Sequence, residues 1–273
     1  NDFKLDSSPT LGKPTNTERL KQLGQEGVLA LVVDCTYAHW PIKMPSEIVA
    51  RQMLQDVLYS QENSNRGIIV TTFSSHIARL KSVIELGEKM GRKIVILGRS
   101  LEKYITAAEE LGIVNFSNRA EIIRYHDHIK RKLRKIAREG REKYLIICTG
   151  HQGEPKSVLS KLAAGDFNYE LGYNDAVIFS CRVIPTPTNR ANRKRLEHQL
   201  QRGKTHLFRD VHQSGHGAQE DIKELISMVK PKHLIPAHGE EKSKQALLQV
   251  AMQMGYQKNK VHLLRDGQII KLE

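Results

Sequence analysis

The stretch V211-H-Q-S-G-H-G-A-Q-E-D-I-K-E-L-I-S-M-V-K-P-K-H-L-I-P-A-H-G-E-E241 places His212, His216, His233 and His238 within 31 residues. It reads as a turn, a helix from Gln219 to Val229, a strand at 233–237, and a second turn opening another helix near 242–254. His216 and His238 lie in the glycine-flanked turns SGHG and PAHGE. Strand-end turns aim side chains into a shared cleft, where histidine serves as a metal ligand or a general acid. Taken alone, each is as readily an ordinary loop histidine.

The same alternation extends outward from this stretch. Strands are expected at 28–34, 68–73, 93–98, 144–149, 175–180 and 205–211, separated by single helices. Those helices are expected at 46–61 with Ser46 as cap, from Ser75 to Met90, from a Ser100 cap to Leu111, at 156–165 and at 188–202. Two short strands, 261–265 and 268–272, close the chain. Strands separated by single helices predict an α/β fold with a mostly parallel, covered sheet. Asp34 ends the first buried strand, another position facing a cleft.

Composition narrows the classes. The 273 residues suffice for one large or two smaller domains, and no run approaches the ~18 apolar residues of a membrane span. Cys35, Cys148 and Cys181 sit in separate apolar runs with no CxxC pair, which fits a reducing cytoplasm and excludes a cysteine zinc cage. Net charge is +13. Residues 119–143 carry ten Lys/Arg against four acids, and residues 190–204 carry six against one. Such clusters are the footprint of a polyanion, most simply nucleic acid. Ile122, Ile129, Leu133 and Ile136 also recur at helical spacing, so a basic helix with one buried face is the plain alternative, and the two are compatible. Aromatic content of 5% speaks against a base-stacking platform and for backbone recognition.

Two strand-to-helix turns invite a phosphate reading: Ser74-Ser75-His76 after Thr71 and Thr72, and Gly150-His151-Gln152-Gly153 after Thr149. Helix N-termini at the carboxyl ends of parallel strands favour anions, and glycine permits close backbone approach. Neither turn is a GxxxxGK[ST] or GxGxxG loop, and hydroxyl-rich turns are often simple helix caps.

The ordered set DFKLD, VVDCT, TTFSSHIARL, GHQGEP, VIFS, HQSGHGAQED and PAHGE resembles the β-CASP ribonucleases of the metallo-β-lactamase superfamily, and among them the archaeal type of the ribonuclease J group. The likeness covers essentially the whole chain. It implies part of a metallo-β-lactamase αββα fold at 1–45 and 211–273, with an α/β β-CASP domain inserted at 46–210. It further implies a zinc-dependent ribonuclease, with 5′-to-3′ exonucleolytic hydrolysis of RNA and two zinc ions per complete site. By the same resemblance Asp2 is a bridging metal ligand and His238 a second ligand. His216 is then the general acid, with Asp34 its orienting partner. Ser74, Ser75, His76, Gly150, Gln152, Gly153, Ser214 and Gly215 are RNA or phosphate contacts. His151 stands where the family usually has serine, and IPTPTN departs from its more usual IPGNE, which leaves phosphate contacts at Thr186–Asn189 unsupported.

The superfamily's HxHxDH motif does not occur in the 273 residues; YHDHIK has Tyr125 at the first histidine position. The expectation is therefore a C-terminal portion of a longer enzyme that binds zinc weakly and is inactive alone. RNA is the expected partner, no membrane is involved, and a homodimer is common in the family. The rival readings are an endoribonuclease of the cleavage and polyadenylation type and a non-catalytic RNA-binding module. His212 and His233 are expected to be structural.

Overall fold

A computed structural model describes residues 2–272; residues 1 and 273, the outer ends of the expected terminal segments, lie outside the described residues. Two compact units are formed. One combines Asn1–Glu47 with Gln213–Glu273, and the other is Ile48–His212. The N-terminal arm contributes helix α1 (Thr17–Glu26) and strand β1 (Ala30–Asp34), then enters α2 (Glu47–Leu58). Helix α1 was not legible from hydrophobic periodicity because none of its residues is buried. Its local signal is Asn16, whose side chain accepts the Arg19 N–H at 3.0 Å as an N-cap.

Residues 48–212 carry a six-stranded, all-parallel sheet. Its elements, in chain order, are β2 (Gly67–Thr71), α3 (Ile77–Lys89), β3 (Lys93–Leu97), α4 (Arg99–Glu110), β4 (Ala120–Ile123) and α5 (His126–Glu139). They continue with β5 (Tyr144–Cys148), α6 (Val158–Ala164), β6 (Asp175–Phe179), α7 (Pro187–Arg202) and β7 (His206–Phe208). The strand order is β4-β3-β5-β2-β6-β7. All five residues of β2, β5 and β6 are buried, which explains their unbroken apolar sequences: a central parallel strand has a core on each face. One core packs α5, α6 and α7 against the sheet through Leu133, Leu159 and Leu196. The opposite core uses Leu54, Leu80 and Leu101 from α2, α3 and α4.

This winding leaves a switch point. From β3 the chain crosses through α4 to β4 on one flank; from the neighbouring strand β5 it crosses through α6 to β6 on the other. The carboxyl ends of β3 and β5 therefore border a crevice that no connection covers.

Four local expectations are corrected. The basic segment is not helical from 119: residues 120–123 pair with β3 as an edge strand, and the helix begins at His126. Ile122 fits both periodicities, and pairing with β3 decides. Helix α4 is entered at Gly98, with φ +130°, not at Ser100. A Cβ at Gly98 would lie 2.7 Å from the Thr149 side chain, so the strand end needs glycine there. Strand β7 is limited to three residues. The closing segments 261–265 and 268–272 form no ladder; Val261 makes only an isolated bridge to Leu234, before a turn at Asp266–Gly267.

The chain returns to the first unit with α8 (Gln219–Val229), β8 (His233–Ala237) and α9 (Glu241–Gln253). Strand β8 pairs in parallel with β1, Asp34 opposite Ala237. Val33, Ile222, Leu234 and Leu247 form its core. Asp6 ties the arm to the start of α2: it accepts from Ser46 Oγ at 2.5 Å and from the Glu47 N–H at 2.8 Å. Ser46 therefore turns its hydroxyl toward Asp6. Burial raises the Asp6 pKa, but these hydrogen bonds outweigh it and hold the carboxyl below its ordinary value.

Polar residues inside unit 2 are equally specified. Arg79 is fully buried and donates to Ser180 O at 3.1 Å and Ser180 Oγ at 2.8 Å, with His212 Nδ1 at 3.3 Å. Replacing Arg79 by Met strands these buried acceptors. We expect a loss of about 2–3 kcal/mol in urea unfolding, against a change within about 0.5 kcal/mol for Lys194→Met on the exposed side of α7.

Candidate metal and proton-transfer centre

Parallel pairing of β1 with β8 delivers two strand ends side by side. Asp34 is the last residue of β1 and is fully buried, while His238 follows β8 and is exposed. His238 adopts φ +55°, an uncommon left-handed conformation for a side chain with a Cβ. The turn is held by Thr36, whose hydroxyl lies 2.7 Å from the His238 carbonyl and 2.6 Å from Asp34 Oδ1. Gly239 serves close approach: a Cβ there would come within 2.5 Å of Cys35 Sγ.

The His216 turn is stitched to the N-terminal arm. Gly217 donates its N–H to Phe3 O at 2.6 Å, next to Asp2. Lys4 donates to Ser214 O at 2.9 Å, and Ser214 Oγ accepts the His216 N–H at 3.0 Å. The outcome is one cluster. His216 Nδ1 lies 2.6 Å from Asp34 Oδ2; the His216 and His238 rings stack at 5.2 Å between centroids; His238 Nε2 lies 3.6 Å from Asp2 Oδ1. Asp2, His216 and His238 each offer a ligand atom, all within 4.8 Å of one another.

Asp34 and His216 shift each other's titration. Burial would push the Asp34 carboxyl up, but the hydrogen bonds from His216 and from the Thr36 hydroxyl and N–H prevail and hold it below its ordinary value. The hydrogen bond to Asp34 raises the His216 pKa, outweighing the burial that lowers it. Asp34 therefore stays ionised and fixes the proton on Nδ1, which leaves Nε2 as the nitrogen available to donate a proton or to ligate.

Asp2 and His238 can hold a cation. Their 3.6 Å separation is near the edge of a tetrahedral shell, about 3.4 Å for bonds of about 2.1 Å. Carboxylate and imidazole are both suitable zinc donors.

The expected phosphate contacts divide. Ser74 Oγ lies 3.0 Å from Ser100 Oγ, which links the end of β2 to the first turn of α4. Ser75 is exposed, and His76 caps α3 by accepting the Arg79 N–H on Nδ1 at 3.2 Å. Gln152 is buried, with its amide spent on Arg182 O and the Ile184 N–H, so its side chain holds a neighbouring turn. Gly150 and Gly153 adopt φ +125° and +76°, and a Cβ on Gly153 would meet the Asn192 backbone at 2.5 Å. Ser214 is buried and Gly215 exposed. His151 packs on Phe73 at 4.3 Å, and burial lowers its pKa.

Helix α5 has one buried face. Ile129, Leu133 and Ile136 face the core, while Arg131, Arg134 and Arg138 are exposed. In the second cluster Arg193 is a core residue: it donates to His151 O at 2.7 Å and lies over the Phe179 ring. His212 is buried against Arg79, and His233 is buried and stacked on His262 at 5.0 Å. Sequence reasoning missed Thr36; its signal was a hydroxyl two residues after the strand-end aspartate, the spacing of an Asp-headed turn.

The pair makes stability depend on pH from both sides. The depressed Asp34 contributes above the ordinary carboxylate pKa, and that contribution is lost as pH falls through the depressed value. The raised His216 contributes fully below the ordinary imidazole pKa, and that contribution is lost as pH rises through the raised value. In EDTA, Asp34→Asn should lower the His216 pKa followed by NMR and weaken both limbs of the stability profile. An unchanged His216 titration contradicts this coupling.

The family described as "Ribonuclease J, beta-CASP domain" matches residues 65–197, and "Zn-dependent metallo-hydrolase RNA specificity domain" matches residues 205–264. The chain is 40% identical to ribonuclease J of Methanocaldococcus jannaschii over 274 residues, covering 100% of this chain and 61% of that protein. It is 38% identical to ribonuclease J of Pyrococcus abyssi, covering 99% and 60%. With ribonuclease J 1 of Streptococcus pyogenes the identity is 33%, covering 99% and 47%. The chain thus spans about 60% of the length of its archaeal relatives. With two consecutive domain matches and relatives along its whole length, the chain belongs to the ribonuclease J family.

Proposed function

We propose that this chain forms part of a zinc-dependent ribonuclease that hydrolyses RNA phosphodiester bonds, acting from the 5′ end as an exonuclease. The observation that carries the reading is the Asp34–His216 contact at 2.6 Å, set beside the Asp2–His238 pair. Asp2 and His238 are the residues that would hold metal, in a site that takes two zinc ions when complete. Zinc there supplies Lewis-acid activation of water and of the phosphoryl group. The chain's own residues do the rest. Asp34 holds the His216 ring by Nδ1 and favours its charged form, so Nε2–H can be donated to the departing oxygen. Exposed cations of α5 and α7 attract the RNA backbone without reading its bases.

A second reading of His216 has its own support, because it is one of the three residues close enough to share an ion. His216→Ala, made in the cleavage-competent chimera described below, separates the two. Loss of cleavage by about 10²-fold or more, with zinc content retained, is the acid outcome; loss of zinc is the ligand outcome.

Tetrahedral zinc takes four ligands, and Asp2 with His238 supplies two. We therefore expect the 273-residue chain to bind zinc weakly and to leave RNA uncleaved. A chimera carrying the remainder of the M. jannaschii relative, 61% of which this chain covers, should bind zinc tightly and cleave RNA. Release of mononucleotides from 5′-phosphorylated RNA supports the exonuclease; internal fragments support an endonuclease; RNA binding without cleavage by the chimera supports a binding module. Robust zinc-dependent cleavage by the 273 residues alone would falsify this ligand assignment.

A further inference from the structure

We propose that the crevice between the carboxyl ends of β3 and β5 is a binding site for a nucleoside phosphate, separate in its residues from the metal centre. The crevice has a volume of about 540 Å³, within the range of about 300–1,000 Å³ for small-molecule sites. It lies at the switch point of the sheet, where ligands of open α/β folds collect.

Its charge is the first argument. Arg99, Lys156, Lys161 and Arg124 line it, and the one carboxylate among the lining residues is Glu154. Glu154 is already engaged, accepting the Gln152 N–H at 3.0 Å beside His151. Arg124 pairs with Glu102 at 2.8 Å. Arg99, Lys156 and Lys161 make no ion pair among the described residues, although many cations elsewhere do, such as Lys132 with Glu121 and Lys135 with Glu139. Three uncompensated cations converging on one crevice repel one another, and a bound anion relieves that repulsion. Ser100 and Ser157 add hydroxyls to the same wall, and the helices α4 and α5 open onto it.

The aromatic groups decide for a nucleoside phosphate over a bare anion. Tyr125, at the rim, is 53% exposed, and the Arg124 guanidinium lies 4.5 Å from its ring centroid. An exposed ring beside a guanidinium is a surface on which a base stacks. Below it His126 packs on the buried Phe167 at 4.9 Å, a rigid floor for the sugar. A nucleoside phosphate matches this order, with phosphate toward Lys156 and Lys161 and base toward Tyr125. Free nucleotide and a nucleotide within an RNA strand share that chemistry. The inference does not depend on the metal centre, because none of its residues takes part in that site.

The test uses the 273-residue chain in EDTA, with 5′-AMP, inorganic phosphate and a 5′-hydroxyl pentaadenylate as probes for calorimetric titration. Lys156 and Lys161 have no partner to lose, so Lys156→Glu/Lys161→Glu should fold normally and bind AMP or pentaadenylate at least about tenfold more weakly. Tyr125→Ala should weaken AMP while leaving phosphate unchanged. Lys13→Glu/Lys258→Glu, at exposed lysines that do not line the crevice, should leave AMP binding intact. AMP binding tighter than pentaadenylate identifies a free nucleotide; pentaadenylate binding without AMP identifies a nucleotide within a strand. Photo-crosslinking of 8-azido-AMP to the unaltered chain gives a second readout, with label expected at Tyr125 or its neighbours. Absence of binding by both nucleotide probes, binding indifferent to the paired Glu substitutions, or label confined to other segments would each overturn the proposal.

Discussion

The parallel pairing of β1 with β8 is the constraint on which the candidate centre depends. A parallel pair fixes direction as well as register, and with Asp34 opposite Ala237 both strands end at the same level. Their following residues then turn out together, Thr36 beneath the His238 carbonyl. A slip of one residue would turn the Asp34 side chain to the other face of the strand. The buried carboxylate would then lose His216, and an unpaired buried charge is far costlier than the pairing it would leave.

Around that register each residue type has a reason. A carboxylate can remain ionised at zero exposure because it accepts three hydrogen bonds, two from Thr36 and one from His216. An exposed imidazole at position 238 and an exposed carboxylate at position 2 keep their donor atoms available to an ion. In the proposed assignment, the buried member of the cluster orients and the exposed members ligate.

Much of this was legible in the sequence. Strands β2, β5 and β6 announced themselves as unbroken apolar runs, because two covered faces demand them. The glycine-flanked histidines and the strand-end aspartate pointed to one cleft, and ordered motifs pointed to the family. What escaped was written in tertiary contacts. Helix α1 has only Asn16 to declare it, and residues 120–123 become a strand because β3 offers an edge. Gln152 reads as a polar ligand but is consumed by the backbone of residues 182 and 184. Arg193 reads as a surface cation but lies inside, over Phe179. No local pattern distinguishes such residues from their exposed counterparts.

The discontinuity of the first unit carries a kinetic consequence. Asp34 and His216 are separated by 182 residues. All six strands of the intervening sheet lie within one contiguous segment. Closing a long flexible loop costs entropy that grows with the logarithm of its length, whereas an already compact insert shortens the effective span. Residues 48–212 form a compact unit with their own contacts, whereas among the described residues β1 pairs only with β8, which is made later. The centre therefore cannot assemble until residues 216–238 have been made, after the whole of the intervening segment.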